Sequence, residues 1–397
     1  MAVSWTKRWY SIFFPLFPIL ILYGFDLLPF VTFSDYMLML FIFTDVIAQR
    51  FKLVLCTSFL PLVFYLLLHP LLLLLLDVPV ADWEDAIGSA WKLALYIFGM
   101  SLLAKDINRD VAIKSIRIIG AISTVYAFLQ FALGTFLHIS ITPYIPFFPV
   151  LREGLLEQQD NWIAYGWTVR PRAWFSEPST FAIFLLLALL VELFVVKKQR
   201  RKKKLCWMYL WGILISHSST GIVGLLILLV AWFCVFPNHF FFKIKRSIVL
   251  SIIFLIPLGF ILLVQSGYID SFIDHTFASG QGIMAQSHFA DISSVFENMP
   301  DFWGILFGHG MQNIDAGYLP GWPRTYYCLG LLGVLLYGLG FALSFKFARH
   351  ESRIVVLTFI ALNLGTEIML GVFMLLYMSV AWMPFGDEDK NDEVNPF

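Results

Sequence analysis

The chain has 397 residues, of which 59% are hydrophobic and 14% charged, with 27 basic and 27 acidic side chains and a mean hydropathy of +0.79. Soluble domains run near ~45–50% apolar and ~25% charged, so a soluble globular protein is excluded and a polytopic membrane protein is expected. Cys56, Cys206 and Cys234 lie in apolar segments and Cys328 near a helix start, so no pair suggests a disulfide framework or a metal site.

A membrane-spanning helix needs roughly 20 apolar residues. In chain order the candidate spans are 10–28, 34–49, 53–76, 84–104, 113–137, 178–196, 205–217, 219–236, 247–266, 325–345 and 353–383. The fold class is therefore an all-α polytopic membrane protein, with residues 1–397 as one integral membrane domain. The first span follows Lys7 and Arg8 with no small-residue cleavage site after it, which reads as an uncleaved first helix rather than a signal peptide. Spans 205–217 and 219–236 read as a tight helical pair meeting at His217-Ser-Ser-Thr-Gly221. The last span holds Gly365-Thr-Glu367 in its middle, so it is either one long helix or two short ones, giving eleven or twelve spans.

Lysine and arginine favour cytoplasmic segments. With a cytoplasmic N-terminus, segments 1–9, 50–52, 105–117, 197–204, 237–246 and 346–353 fall inside and hold 21 of the 27 basic residues. The run Lys197 to Lys204 supplies seven of them, and its plain reading is a topology anchor near anionic lipid. The outer side is poor in basic residues: 77–85 carries Asp77, Asp82, Glu84 and Asp85, and 267–324 carries six acids against Arg324 alone.

Loops longer than ~12–15 residues are usually functional or disordered. Two are expected, both on the outer face: 138–177, rich in proline and aromatic residues and packed on the membrane surface, and 267–324. Between them lie the central helices, 178–266, and after them the C-terminal helices, 325–386. Ile283 to Met299 repeats apolar residues at helical spacing and reads as an interfacial helix on the outer leaflet. No cytoplasmic segment is large enough for a nucleotide-binding domain, so any reaction draws on an activated lipid donor or a gradient.

Arg170 and Arg172 are basic residues on the side that disfavours them, and an anionic ligand is the reason offered. A guanidinium binds phosphate oxygens bidentately and stays charged. Pro171 biases Arg170 to an extended backbone, from which both arginines can grip one diphosphate. Pro178 suits the first turn of the following helix, Ser176 or Glu177 can cap it, and its positive end faces the same place. The alternative is headgroup binding, or pairing with Glu153, Glu157 or Asp160. Glu177 is assigned to positioning the arginines or a sugar hydroxyl, since its charge repels a diphosphate. His309, between Gly308 and Gly310, is the candidate general base, its glycines allowing close approach of substrate to the backbone. His275, His288, Asp291 and Asp315 are rivals, and His69 and His138 read as interfacial. Arg324 is either a third phosphate or saccharide contact or an end anchor.

These residues resemble the O-antigen polymerase (Wzy) and O-antigen ligase superfamily of bacterial membrane glycosyltransferases. Arg172-Ala-Trp-Phe-Ser-Glu-Pro-Ser-Thr-Phe-Ala182 resembles the family's arginine followed by Glu-Pro at a helix start. Ser216-His-Ser-Ser-Thr-Gly221 resembles its Ser-Arg-Thr-Gly turn, with His217 where arginine or lysine is common. Phe307-Gly-His-Gly310, then Tyr326 to Tyr337 with Gly330 and Gly333, resembles its Gly-x-Gly, loop, Leu-Gly-x-x-Gly order. The outer loop reads Ser279-Gly-Gln281 where the family often has Ser-Gly-Arg; His288 or Arg324 could substitute. The resemblance covers roughly residues 160–345.

What it implies is a repeat-unit polymerase in the bacterial cytoplasmic membrane. The substrate, as donor and acceptor, is an undecaprenyl-diphosphate-linked oligosaccharide. No metal, cofactor or nucleic acid is expected; membrane lipid, a flippase and a chain-length regulator are the expected partners. Arg170 and Arg172 bind the diphosphate, His309 takes the acceptor proton, and His217, Glu177 and Arg324 support. A related ligase, or a flippase or secondary transporter, are the alternatives. The transporter reading is disfavoured because no internal repeat is visible and Asp45 and Glu192 sit near cytoplasmic ends; Lys92 and Glu367 are the exceptions.

Overall fold

The computed structural model describes residues 2–25, 31–50, 55–80, 82–146, 148–151, 163–164, 168–235, 302–311, 319–366 and 368–384. The helices in chain order are α1 (Ala2–Phe13), α2 (Phe17–Leu20), α3 (Phe33–Ala48), α4 (Leu60–Leu75), α5 (Trp83–Leu103), α6 (Arg109–Leu137), α7 (Pro178–Leu190), α8 (Lys203–Ile215), α9 (Ser219–Val235), α10 (Phe302–Phe307), α11 (Gly321–Phe347), α12 (Arg353–Leu362) and α13 (Val372–Ala381). A two-residue strand pair, β1 (Ile163–Ala164) and β2 (Thr168–Val169), is antiparallel. Five helical stretches among the described residues are long and apolar enough to cross a membrane: Thr57–Leu75, Trp83–Asp106, Arg109–Leu137, Pro178–Val195 and Gly321–Phe347. A helix satisfies its own backbone in a medium without water, and the protein is a membrane-embedded helical bundle.

Helix starts follow local chemistry. The Thr32 hydroxyl accepts from Asp35 N while the Asp35 carboxylate accepts from Thr32 N. Asp82 Oδ1 accepts from Glu84 N at 2.9 Å, and Asn108 Oδ1 from Val111 N at 3.2 Å. Such caps satisfy donors that the first turn leaves open. Span 247–266 and the expected interfacial helix, Ile283 to Met299, lie outside the described residues.

Two expected spans are corrected, and the choice left open for a third is decided. The first begins at Ala2, is interrupted at Pro15 and Pro18 and ends at Leu20, because proline lacks the helical N–H and crowds the preceding turn. Span 353–383 divides: α12 ends at Leu362 and α13 starts at Val372, each ten residues long. At 1.5 Å per residue each covers about 15 Å, half a bilayer. Span 325–345 is not one rod, because Gly330 (φ 64, ψ −172) folds α11. The rings of Trp322 and Phe341 are 6.0 Å apart, whereas unbroken helix holds residues so spaced ~28 Å apart. Arm 321–329 therefore lies back against arm 331–347. Its first turn meets the α12–α13 break, where Gly321 N donates to Thr366 O at 2.7 Å and Trp322 N to Asn363 O at 3.2 Å. The broken ends satisfy each other's backbone, the condition for non-helical chain at membrane depth.

Helix α7 is the hub, buried from Phe181 to Leu190. Its neighbours come close through glycine: a Cβ at Gly212 would meet Leu185, one at Gly221 would meet Ala182, and one at Gly224 would meet Leu186. Small residues allow such close helix contact in lipid, where burial itself gives little drive.

The two ends of the bundle differ in charge. At one end Lys7 pairs with Asp106 at 3.0 Å, Lys105 Nζ donates to Gln49 Oε1 at 2.9 Å, and Gln49 Nε2 donates to both Asp45 oxygens at 2.6 Å. Arg117 pairs with the fully buried Glu192, whose other oxygen accepts from Lys202 N at 3.2 Å. The start of α1, the ends of α3, α5 and α7 and the starts of α6 and α8 thus share this basic end, beside the Lys197–Lys204 run.

Candidate functional site

At the opposite end the chain enters α7 through the turn 170–177. Ala173, a residue with a Cβ, is left-handed (φ 50) and fully buried. Gln130, buried on α6, takes both of its backbone groups: Ala173 N donates to Oε1 at 2.8 Å, and Nε2 donates to Ala173 O at 3.3 Å. Phe175 N closes the turn on Arg172 O at 3.0 Å. Trp174 stacks on Tyr126 of α6, with centroids 4.7 Å apart.

Arg172 is held inside this turn and is only 3% exposed. Its Nη1 donates to Ser176 O, its Nη2 to Tyr144 Oη at 3.1 Å, and its guanidinium carbon lies 5.3 Å from the Tyr144 ring centroid. Tyr144 belongs to the 139–151 stretch. Pro143 and Tyr144 of this stretch are buried, while Ile139, Thr142, Pro146 and Phe148 are exposed. Ile145 N donates to Tyr23 Oη at 2.9 Å, Leu151 N to Leu22 O at 3.1 Å, and Phe148 lies against Phe33 and Tyr23. Burial raises the Tyr23 phenol, with the bond from Ile145 and the nearby Arg172 charge acting the other way, so it stays neutral.

Arg170 is the more open of the two arginines, half-buried two residues before. His217 lies in the turn between α8 and α9, left-handed (φ 47) with its ring 6.0 Å from that of Phe131. Burial lowers the His217 pKa, and the Arg170 charge lowers it further. The lowered pKa favours the neutral imidazole, which can accept a proton. Arg170 lies in the turn that leads into α7, whose N-terminal dipole favours anions.

Glu177 occupies the N-cap of α7. Its N–H donates to Thr180 Oγ1 at 3.1 Å, its carbonyl accepts from Phe181 N at 3.1 Å, and its carboxylate accepts from Ser179 Oγ at 2.9 Å. Arg172 is held instead by Ser176 O and Tyr144 Oη.

His309 is 6% exposed and sits where two strands of backbone cross. His309 N donates to Tyr327 O at 2.9 Å and Gly310 N to Cys328 O at 3.1 Å. A Cβ at Gly308 would stand 2.5 Å from the Cys328 carbonyl. Gly308 thus admits the chain's own backbone at this crossing. Arg324 is half-buried on arm 321–329, the arm held by the α12–α13 break, rather than at the outer tip of a straight span. His69 is interior, not interfacial: it is 1% exposed and its Nε2 bonds Phe307 O at 2.7 Å. His138 ends α6 and is exposed. His275, His288, Asp291, Asp315, Glu153, Glu157, Asp160, Ser279–Gln281 and Glu367 lie outside the described residues.

Gln130, Tyr126 and Tyr144 were missed from the sequence. The signal for Gln130 was there, since an amide in the middle of an apolar span is costly and needs a partner. Lys92 meets Asp35 at 2.9 Å, and Tyr96 Oη donates to the other Asp35 oxygen at 2.6 Å.

Comparison with known proteins finds no matching family model, no matching curated protein and no matching solved structure.

Proposed function

We propose that the protein is a membrane glycosyltransferase that polymerises polyprenyl-diphosphate-linked oligosaccharide repeat units, as its resemblance to the Wzy and ligase superfamily implies. The observation that carries the reading is the turn that enters α7, which places Arg170 half-buried two residues before the Arg172 that Ser176 and Tyr144 hold, at the end of the bundle opposite the basic one. On this reading the basic end is cytoplasmic and the site faces outward across the bacterial inner membrane.

The acceptor hydroxyl oxygen attacks the anomeric carbon of the donor. The bond from that carbon to the diphosphate breaks, and the diphosphate leaves with the electron pair. Arg170 and the start of α7 stabilise the leaving charge, and Arg172 holds the turn that presents Arg170. His217 takes the acceptor proton. It replaces His309 in that role because His309 is buried at a backbone crossing.

Complementing a deletion strain and resolving surface glycan on gels tests this. Wild-type protein should restore long chains, and Arg170→Ala should leave single repeat units at normal protein level. Wild-type chain length in Arg170→Ala would sink the diphosphate assignment. Loss of all attached glycan, with lipid-linked polymer remaining, would point to a ligase instead.

A secondary transporter is the second reading, favoured by the discontinuous helices at Gly330 and at 363–371 and by the Lys92–Asp35 pair within the spans. Purified protein given lipid-linked repeat unit in detergent separates the two: a polymerase yields polymer there, and a transporter yields none.

A further inference from the structure

We infer that Gln130 is a positioning residue that, through Ala173, fixes Arg172 and so sets where Arg170 stands; this rests on the proposed anion site at α7. Four observations converge on it. Ala173 is in the left-handed region at φ 50, which a residue with a Cβ adopts only when its surroundings hold it there. The Gln130 amide takes Ala173 N at 2.8 Å and Ala173 O at 3.3 Å. The glutamine amide supplies a donor and an acceptor in that fork without titrating, and asparagine, the other amide, is one methylene shorter. The residues flanking Ala173 are Arg172, held by Ser176 and Tyr144, and Trp174, stacked on Tyr126 one helical turn before Gln130. Helix α6 thus grips the turn at two successive levels.

The amide is 5% exposed and carries its polar atoms in an apolar span. A buried amide without partners is unfavourable, so the side chain and the Ala173 backbone each need the other. Unclamped, Ala173 is free to leave the left-handed region, and the guanidinium of Arg172 then moves away from Tyr144. Arg170, two residues earlier, moves with it.

Two variants and one combination test this. Gln130→Met keeps the volume and removes both hydrogen bonds. Ala173→Gly removes the need for the clamp, since glycine enters the left-handed region without steric cost. The structural readout is limited trypsin cleavage of purified full-length protein after Arg172, scored by the new N-terminus at Ala173. Loss of two hydrogen bonds corresponds to roughly a tenfold rise in cleavage for Gln130→Met. Adding Ala173→Gly should bring the rate back to within about threefold of wild type. The functional readouts are binding of undecaprenyl diphosphate and surface glycan length, which should fall in Gln130→Met and recover in the double variant. Unchanged cleavage in Gln130→Met, or no recovery with Ala173→Gly, overturns the positioning role. Cleavage that rises and recovers while undecaprenyl diphosphate binding and glycan length stay constant leaves the clamp standing and overturns the anion-site reading instead.

Discussion

Arg170 and Arg172 are separated by one proline yet do different work. Arg172 is spent on Ser176 and Tyr144 inside the turn, while Arg170 is half-buried and its charge lowers the His217 pKa. Arg172→Lys should therefore be as damaging as Arg172→Ala, because an ammonium cannot reach Ser176 and lie over Tyr144 together. Normal glycan length in Arg172→Lys would contradict this. His217 gives a pH prediction. Its folded pKa lies below 6.5, so the folded state binds fewer protons than the unfolded state just under that value. Stability is then full above about 6.5 and falls as pH drops below it. Thermal unfolding in detergent between pH 7.5 and 5 should show a smaller loss in His217→Gln than in wild type. The two arginines were legible as an anomaly of charge against topology, and His217 through the resemblance of its turn. Their division of labour was not, because it depends on Tyr144 and Gln130, which lie 28 and 42 residues from Arg172.

Helix continuity is decided by contacts that hydropathy does not report. The residues of 321–347 are apolar enough for one straight span, yet Gly330 folds them because Leu306 and Gly308 pack there. A Cβ at Gly330 would lie 2.5 Å from Gly308 N, in a left-handed backbone. Gly330→Ala should lower thermal stability by about 3 kcal/mol or more, combining left-handed strain with the clash. Gly338→Ala, on the same helix with nothing within 4 Å, should change it by less than about 1 kcal/mol and can only gain helix propensity. Equal losses in the two variants would remove the crossing as a structural determinant. The carbonyls freed at the crossing are taken by α4, where Tyr65 Oη donates to Leu329 O at 2.7 Å.

At the scale of the molecule the charge asymmetry becomes three-dimensional order. Basic side chains far apart in the sequence close one end of the bundle by pairing with Asp106, Asp45 and Glu192. Glu192 is fully buried, so Glu192→Ala strands Arg117 and should cost about 3–5 kcal/mol; unfolding measurements of the purified variant check this. Sidedness is tested by impermeant maleimide on intact cells. Asp77→Cys should be labelled and Lys203→Cys should not, and the reverse pattern would invert the proposed orientation.

The sequence by itself determined the membrane class, most helix positions and the segregation of charge, because those follow from composition and local periodicity along one stretch of chain. The tertiary structure alone decided that Gly330 folds α11, that His309 sits at a backbone crossing, and that Gln130 takes both backbone groups of Ala173. Those outcomes depend on which distant groups satisfy a buried amide, guanidinium or carbonyl, and such pairing is set only when the helices are packed together.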